Sequence, residues 1–274
     1  MDNSKERILD YWLSRAKVSA AARRAAKGSP EAIELLLSFG EGGLSLEQAR
    51  EDLMRWEDQG GWTLLPHDPL YEEVFGALLG DGTNLPFILY GRGNVNLLLK
   101  RKVGIVGSRE VTGYGAQATK QLVAQLQPEE VVVSGGAKGV DALAHREALA
   151  RGLGTICVIG CGLNHDYPRE NAPLFRRLER EGLMLSEYEP HQRPRRFFFP
   201  ERNRIIAALC DPVIVTCASM RSGALYTAEA ALEVGHVVLC VPHPMGALQG
   251  AGCNALIALG TPLLKCAQDL RDWL

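Results

Sequence analysis

Residues 131–145 read VVVSGGAKGVDALAH. Three β-branched residues run without polar alternation, which marks a strand buried on both faces. Ser134-Gly135-Gly136 then breaks the run, and Ala142, Leu143 and Ala144 begin a helical pattern. The same unit, an apolar run followed by a glycine turn and a helix, recurs downstream. The other runs are Val103–Val106, Thr155–Ile159, Leu183–Ser186, Val213–Thr216 and Val237–Val241. Between them, Tyr114, Ala118, Leu122 and Leu126 fall on one helical face, as do Leu225, Ala228 and Leu232. Strands alternating with helices predict an α/β fold with a doubly wound, mostly parallel sheet.

Upstream the pattern differs. Ile8, Tyr11, Trp12 and Val18 recur at helical spacing, as do Ala32, Leu35, Leu36 and Phe39. Ser29-Pro30 starts one helix, and Ser45 with Gln48 forms a capping box for another. Residues 1–60 are therefore expected to form a small helical domain and 61–274 the α/β domain. The second is expected to hold its own core and to tolerate loss of the first. Leu64–Pro69 reads as a turn, and Phe87–Tyr90 as a short strand ending at Gly91-Arg92-Gly93-Asn94.

The whole chain has 274 residues, 46% apolar and 23% charged, with 30 basic and 32 acidic side chains. That composition excludes a disordered chain and one that binds polyanions by bulk charge. The seven cysteines sit mostly in apolar runs and read as buried hydrophobes in a reducing compartment. Cys157, Cys161 and His165 are four apart, but no CxxC pair supports a metal site, and no cofactor is expected. The N-terminus lacks an apolar signal segment, and no run of 18 apolar residues occurs, so a cytoplasmic protein without a membrane span is expected.

In an open parallel sheet, ligands bind beyond the carboxyl ends of the strands. Those ends read Gly107-Ser108-Arg109, Ser134-Gly135-Gly136-Ala137-Lys138, Gly160-Cys161-Gly162 and Ser219-Met220-Arg221-Ser222-Gly223. Glycine admits backbone amides close to an anion, and the following helix presents free N–H groups. Four such turns on one edge point to phosphate. No GxxxxGK[ST] occurs, which removes a P-loop NTPase. Gly160-Cys161-Gly162-Leu163-Asn164-His165 nears the dinucleotide fingerprint, but His165 replaces the third glycine.

Residues 193–204 place five arginines and Phe197, Phe198 and Phe199 around a single acid. Arginines track a phosphate backbone and aromatic rings stack on unpaired bases. Pro194 and Pro200 bracket the segment, which is read as an extended loop, and arginines and phenylalanines in a loop at the ligand edge favour a single strand. Acid–base candidates are few. Asp141 and His145 are one helical turn apart, and such a pair is read as structural. Binding without bond-making is expected, hence no catalytic residues and no enzyme.

These segments together resemble the DprA/Smf family. The carriers are Val106–Arg109, Ser134–His145, Tyr167–Asn171, Phe199–Leu209, Ser222–Ala228 and Gly252–Ile257. The resemblance covers about residues 60–265. It implies an extended Rossmann fold behind a sterile-alpha-motif-like helical domain. It also implies single-stranded DNA binding in natural transformation, loading of the RecA recombinase, and a homodimer. Carried over by motif, Gly107, Ser108 and Arg109 bind phosphate, and Gly135, Gly136 and Lys138 line the same pocket. Arg196, Phe199, Arg202 and Arg204 hold and stack the strand. Ser134, Asn203, Ser222 and Gly223 complete the expected site. The sequence departs from the family at Thr216-Cys217 and at Pro242-His243-Pro244, and it ends at Leu274, so no winged-helix domain is expected. The competing reading is a phosphoribohydrolase-type enzyme on a related sheet, although the Gly-Gly-x-Gly-Thr loop of that group is missing.

Overall fold

The computed structural model describes residues 5–27, 29–38, 43–79 and 84–274. Phe39 and residues 1–4 lie outside them. The chain opens with helices α1 (Lys5–Arg15), α2 (Ala20–Ala26), α3 (Pro30–Ser38) and α4 (Leu46–Asp58). Ser45 caps α4: its hydroxyl accepts from the Gln48 amide at 3.1 Å, and the Gln48 side chain accepts from the Ser45 amide at 2.9 Å. Strand β1 (Trp62–Leu64), helix α5 (Pro69–Phe75) and strand β2 (Leu89–Gly93) follow. The alternating part then runs β3 (Arg101–Gly107), α6 (Gly113–Val123), β4 (Glu130–Ser134), α7 (Val140–Ala150), β5 (Thr155–Val158), α8 (Ala172–Glu181) and β6 (Leu183–Ser186). It closes with α9 (Phe198–Leu209), β7 (Val213–Cys217), α10 (Ala224–Glu233), β8 (Val238–Cys240) and α11 (Ala251–Ala258).

The strands make one sheet in the order β1-β2-β6-β5-β4-β3-β7-β8. The pairs from β6 through β8 are parallel, and β1 and β2 add antiparallel at the β6 edge. Chain order runs outward from β3 to β6 on one side, then returns to place β7 against the other side of β3. That reversal is the topological switch point of a doubly wound sheet. Alternate strand residues fill opposite faces. Val131, Val133, Ile156 and Val158 pack with α9 and α10, while Val103, Ile105 and Val132 pack with α6 and α7. Among the described residues no helix is long and apolar enough to cross a membrane.

Three expectations change. The segment 193–204 is not extended throughout: α9 begins at Phe198, and Pro200 sits in its first turn. Proline is tolerated there because the first helical N–H groups have no acceptor. Strand β2 starts at Leu89 and continues through Gly91 to Gly93, paired with β6. The core is not divided at residue 60. Leu9, Tyr11, Trp12, Leu53 and Trp56 form one cluster with Leu65, Ile88, Tyr90, Leu163 and Met184. Arg7 fastens α1 to the turn after β1, donating to Asp68 Oδ1 at 2.8 Å and Thr63 Oγ1 at 2.6 Å.

Candidate functional site

A cleft of about 790 Å3 opens beyond the carboxyl ends of the central strands. Its first wall is the β3–α6 turn. Ser108 is held there from two sides: its N–H donates to Cys217 O at 2.6 Å, and its C=O accepts from Val140 N–H at 3.1 Å. The second contact needs glycine at 139, where φ is +77° and a Cβ would lie 2.2 Å from Ser108 O. The first two glycine turns are thus one interlocked unit. Ser108 Oγ donates to Gln249 Oε1 at 3.3 Å and closes the cleft toward α11.

Arg109 projects from this turn into solvent and makes no hydrogen bond or ion pair among the described residues. Its guanidinium stands 5.8 Å from the centroid of the Phe199 ring. Phe199, half-buried at the start of α9, lies 5.4 Å from Tyr167 with the rings inclined by 37°. A cation and two rings therefore form a row along the rim. Arg196 lines the same side, exposed and without a hydrogen bond or ion pair among the described residues.

The floor is a buried charge. Arg202 is one turn into α9 and only 5% exposed. Its Nη1 donates to the carbonyls of Gly135 and Val158, at the ends of β4 and β5, and its Nε donates to Asn203 Oδ1 at 3.1 Å. Asn203 Nδ2 in turn donates to Gly223 O at 3.1 Å, tying α9 to the β7–α10 turn. Asp141 on α7 lines the floor and accepts from Ala137 N–H at 3.3 Å. Burial raises its pKa, and the Arg202 charge opposes that rise. Burial likewise lowers that of Arg202, with Asp141 opposing.

Asp141 and His145 do not bond to each other. His145 Nδ1 meets Thr155 Oγ1 at 2.7 Å, and burial, helped by Arg202 and Arg146, pushes the imidazole down to about 3. Unfolded histidine titrates near 6.5. The unfolded chain therefore binds a proton that the folded chain refuses, and this group's contribution to stability falls as pH drops from about 6.5 toward 3. We expect the His145 ring signal in an NMR titration to stay at its neutral position at pH 5. A midpoint near 6.5 would contradict the buried placement.

Of the residues expected from sequence, Gly107, Ser108, Arg109, Arg196, Phe199, Arg202, Asn203, Ser222 and Gly223 line the cleft. Ser134, Gly135 and Gly136 lie behind it. Ser134 Oγ donates to Ile105 O at 2.7 Å, and Gly135 serves as acceptor for Arg202. Lys138 is exposed and ion-paired with Glu170. Arg204 is outside the cleft lining, where it forks onto Glu187 and donates to Asn84 O at 2.9 Å. The cleft also holds Arg221, from a turn already read as a phosphate turn, and residues not expected from sequence: Glu110, Tyr167, Tyr226, Thr227 and Gln249. Tyr167 and Tyr226 stood inside segments already quoted, but nothing local told a cleft ring from a packed one. Six of the seven cysteines are buried, and no group of three metal-ligating side chains occurs among the described residues.

Fold and cleft together define a Rossmann-like α/β protein with a cation-lined site at its switch point. Residues 62–274 match the family model of DNA recombination-mediator protein A, and the chain belongs to that family, the one whose motifs the sequence resembles. It is similar to DNA processing protein DprA of Streptococcus pneumoniae, 44% identical over 205 residues, covering 75% of this chain and 73% of that one. It is also similar to protein Smf of Escherichia coli, 34% identical over 242 residues, covering 84% and 64%. DprA of Bacillus subtilis is matched over 63% of its length, so the chain spans less than two thirds of some relatives. The crystal structure of pneumococcal DprA superposes with a TM-score of 0.77 at 32% identity, over 98% of this chain and 93% of that one. DprA of Helicobacter pylori, whose structure describes a single-stranded DNA binding mode, gives a TM-score of 0.68 at 32% identity, over 78% and 97%.

Proposed function

We propose that the protein binds single-stranded DNA in the cleft and acts as a recombination mediator on it. The carrying observation is the row Arg109–Phe199–Tyr167, an unpaired guanidinium beside two rings at the rim of a phosphate-sized set of glycine turns. Arg109 takes a phosphate, since its planar fork matches two oxygens at once. Phe199 stacks on a base. Arg196 adds charge to the same lip. Arg202 works from below, holding the turns in place. The Asp141 carboxylate accepts from Ala137 N–H and faces the Arg202 charge, and Glu110 at the rim accepts from Gln249, which leaves neither placed as half of an acid–base pair among the described residues. The reading is of a binder and not of a hydrolase. In this reading the protein protects incoming strands in natural transformation, delivers them to RecA, and works in the cytoplasm as a homodimer.

Fluorescence anisotropy with an oligothymidine strand tests the core of this, with blunt duplex as the control. Each neutralised phosphate adds about −0.7 to the slope of log affinity against log salt. Three to five contacts give a slope of roughly −2 to −3.5. Arg109→Ala should flatten that slope by about one contact's share. Phe199→Ala should weaken binding about 5- to 150-fold with the slope unchanged. Tighter binding to duplex than to the single strand would end this reading. Steady release of phosphate from ATP, or of base from a nucleoside monophosphate, lost in Arg109→Ala, would favour the phosphoribohydrolase alternative.

A further inference from the structure

We infer that the β7–α10 wall is a second binding half of the cleft, with Arg221 taking a phosphate of the strand and Tyr226 stacking on a neighbouring base. The inference rests on the single-strand reading above and extends it to the opposite side of the site.

The topology places the wall. β3 and β7 are neighbours in the sheet, yet their helices leave toward opposite faces. Leu122 and Val123 of α6 belong to one face's core, and Ala224, Ala228 and Ala231 of α10 to the other's. Where neighbouring strands send their helices apart, a crevice opens between the two turns, and this is where doubly wound sheets hold ligands. One lip carries Arg109. The other carries Ser219–Gly223, with Arg221 exposed and free of hydrogen bonds and ion pairs among the described residues.

The wall is stiff. Ser222 N–H donates to Ser219 O at 3.0 Å and Ala224 N–H to Ser222 Oγ at 3.3 Å. Gly252 N–H donates to Ala218 O at 2.8 Å, and Asn203 holds Gly223 from α9. Arg221 therefore sits in fixed register with the helix that bears Phe199. Its side chain gives up no internal contact on meeting a phosphate.

Tyr226 follows on the first turns of α10, lines the cleft, and is 58% exposed with no hydrogen-bond partner for its hydroxyl among the described residues. A large ring left open over a cationic cleft is a stacking surface. Beside it, Thr227 is 2% exposed and lines the cleft. Cation, ring and hydroxyl thus occur in sequence along one wall, matching phosphate, base and a polar edge of the same nucleotide chain.

The test uses the full chain and the same oligothymidine titration. Arg221→Ala should weaken binding about tenfold and flatten the salt slope by about 0.7. Arg221→Lys should restore the slope. Tyr226→Ala should weaken binding about 5- to 150-fold with no change in slope, and Tyr226→Phe should bind as the parent does. Both side chains are exposed, so melting temperatures of all four variants should match the parent and confirm that folding is not the cause. If Arg109→Ala weakens binding while both Arg221→Ala and Tyr226→Ala bind normally, the second half is wrong and the single-strand reading stands. If the unaltered chain prefers duplex, the single-strand reading falls and this inference falls with it.

Discussion

An Arg202→Met protein is expected to melt roughly 6–20 °C below the parent. The guanidinium fills the space where β4, β5, α7 and α9 converge, and its donors satisfy the Gly135 and Val158 carbonyls at the strand ends. Methionine fits the volume but donates nothing. Two buried carbonyls lose their partner, and the Asp141 carboxylate loses the charge that opposes its burial. Removing one member of a buried charge pair costs about 3–5 kcal/mol, and a chain of this size loses roughly 2–4 °C per kcal/mol. Calorimetric melting measures it.

The pairing makes a sharper statement. Without Arg202, Asp141 is pushed further toward its neutral form, so Asp141→Asn should cost less in the Arg202→Met background than in the parent. Groups that share a network depart from additivity by about 0.5–3 kcal/mol. A fall under 2 °C for Arg202→Met, or strict additivity of the pair, would show that the floor is held by packing alone. The same variant should also bind a strand weakly where folded, because Phe199 stands one turn before Arg202 on α9 and turns with it.

That floor also marks where sequence reading stops. Val131–Ser134 and Val213–Cys217 were legible because strands buried on both faces leave an unbroken β-branched signature. Trp62–Leu64 left none: three residues become a strand only through pairing with Leu89–Gly91. The glycine turns were legible as tight turns, but what each glycine makes room for was not: a Cβ at 139 would meet Ser108 O at 2.2 Å, and one at 135 the Arg202 guanidinium, both from distant segments. Arginines are another matter. Arg196, Arg202 and Arg204 stand in one basic segment, yet one lines the rim, one is buried and one is bound to Glu187. Helical phase decides it, since Phe198, Arg202, Ile205, Ile206 and Leu209 share the buried face. Reading Pro200 as a sign of extended chain hid that phase. Lys138 and Arg204 carry ion-pair partners from distant segments, Glu170 and Glu187, which no local pattern announces.

A chain beginning at Trp62 is expected to be poorly soluble and to melt well below the full protein, although every residue lining the cleft lies between 106 and 249. The reason is the face that helices α1 to α4 cover. Tyr90 in β2 is 1% exposed because Tyr11 and Trp56 pack edge-on against it, at 6.4 and 5.9 Å between ring centroids. Leu65, Ile88, Leu163 and Met184 are covered by the same cluster. Deletion also strands polar groups. Trp56 Nε1 donates to Trp62 O at 3.0 Å, Arg92 stacks its guanidinium 4.6 Å from the Trp56 ring, and Arg7 satisfies Asp68 and Thr63. A newly bared apolar patch beyond a few hundred Å2 drives association. Size-exclusion chromatography should show aggregates, and the dye ANS should bind the truncated chain and not the parent. Any monomer that survives should still bind oligothymidine, somewhat more weakly, because Arg15 in α1 no longer holds Glu189 at 2.7 Å in the loop leading to Arg193–Arg196. A monomeric truncated chain that melts with the parent and ignores the dye would show that residues 62–274 close their own core.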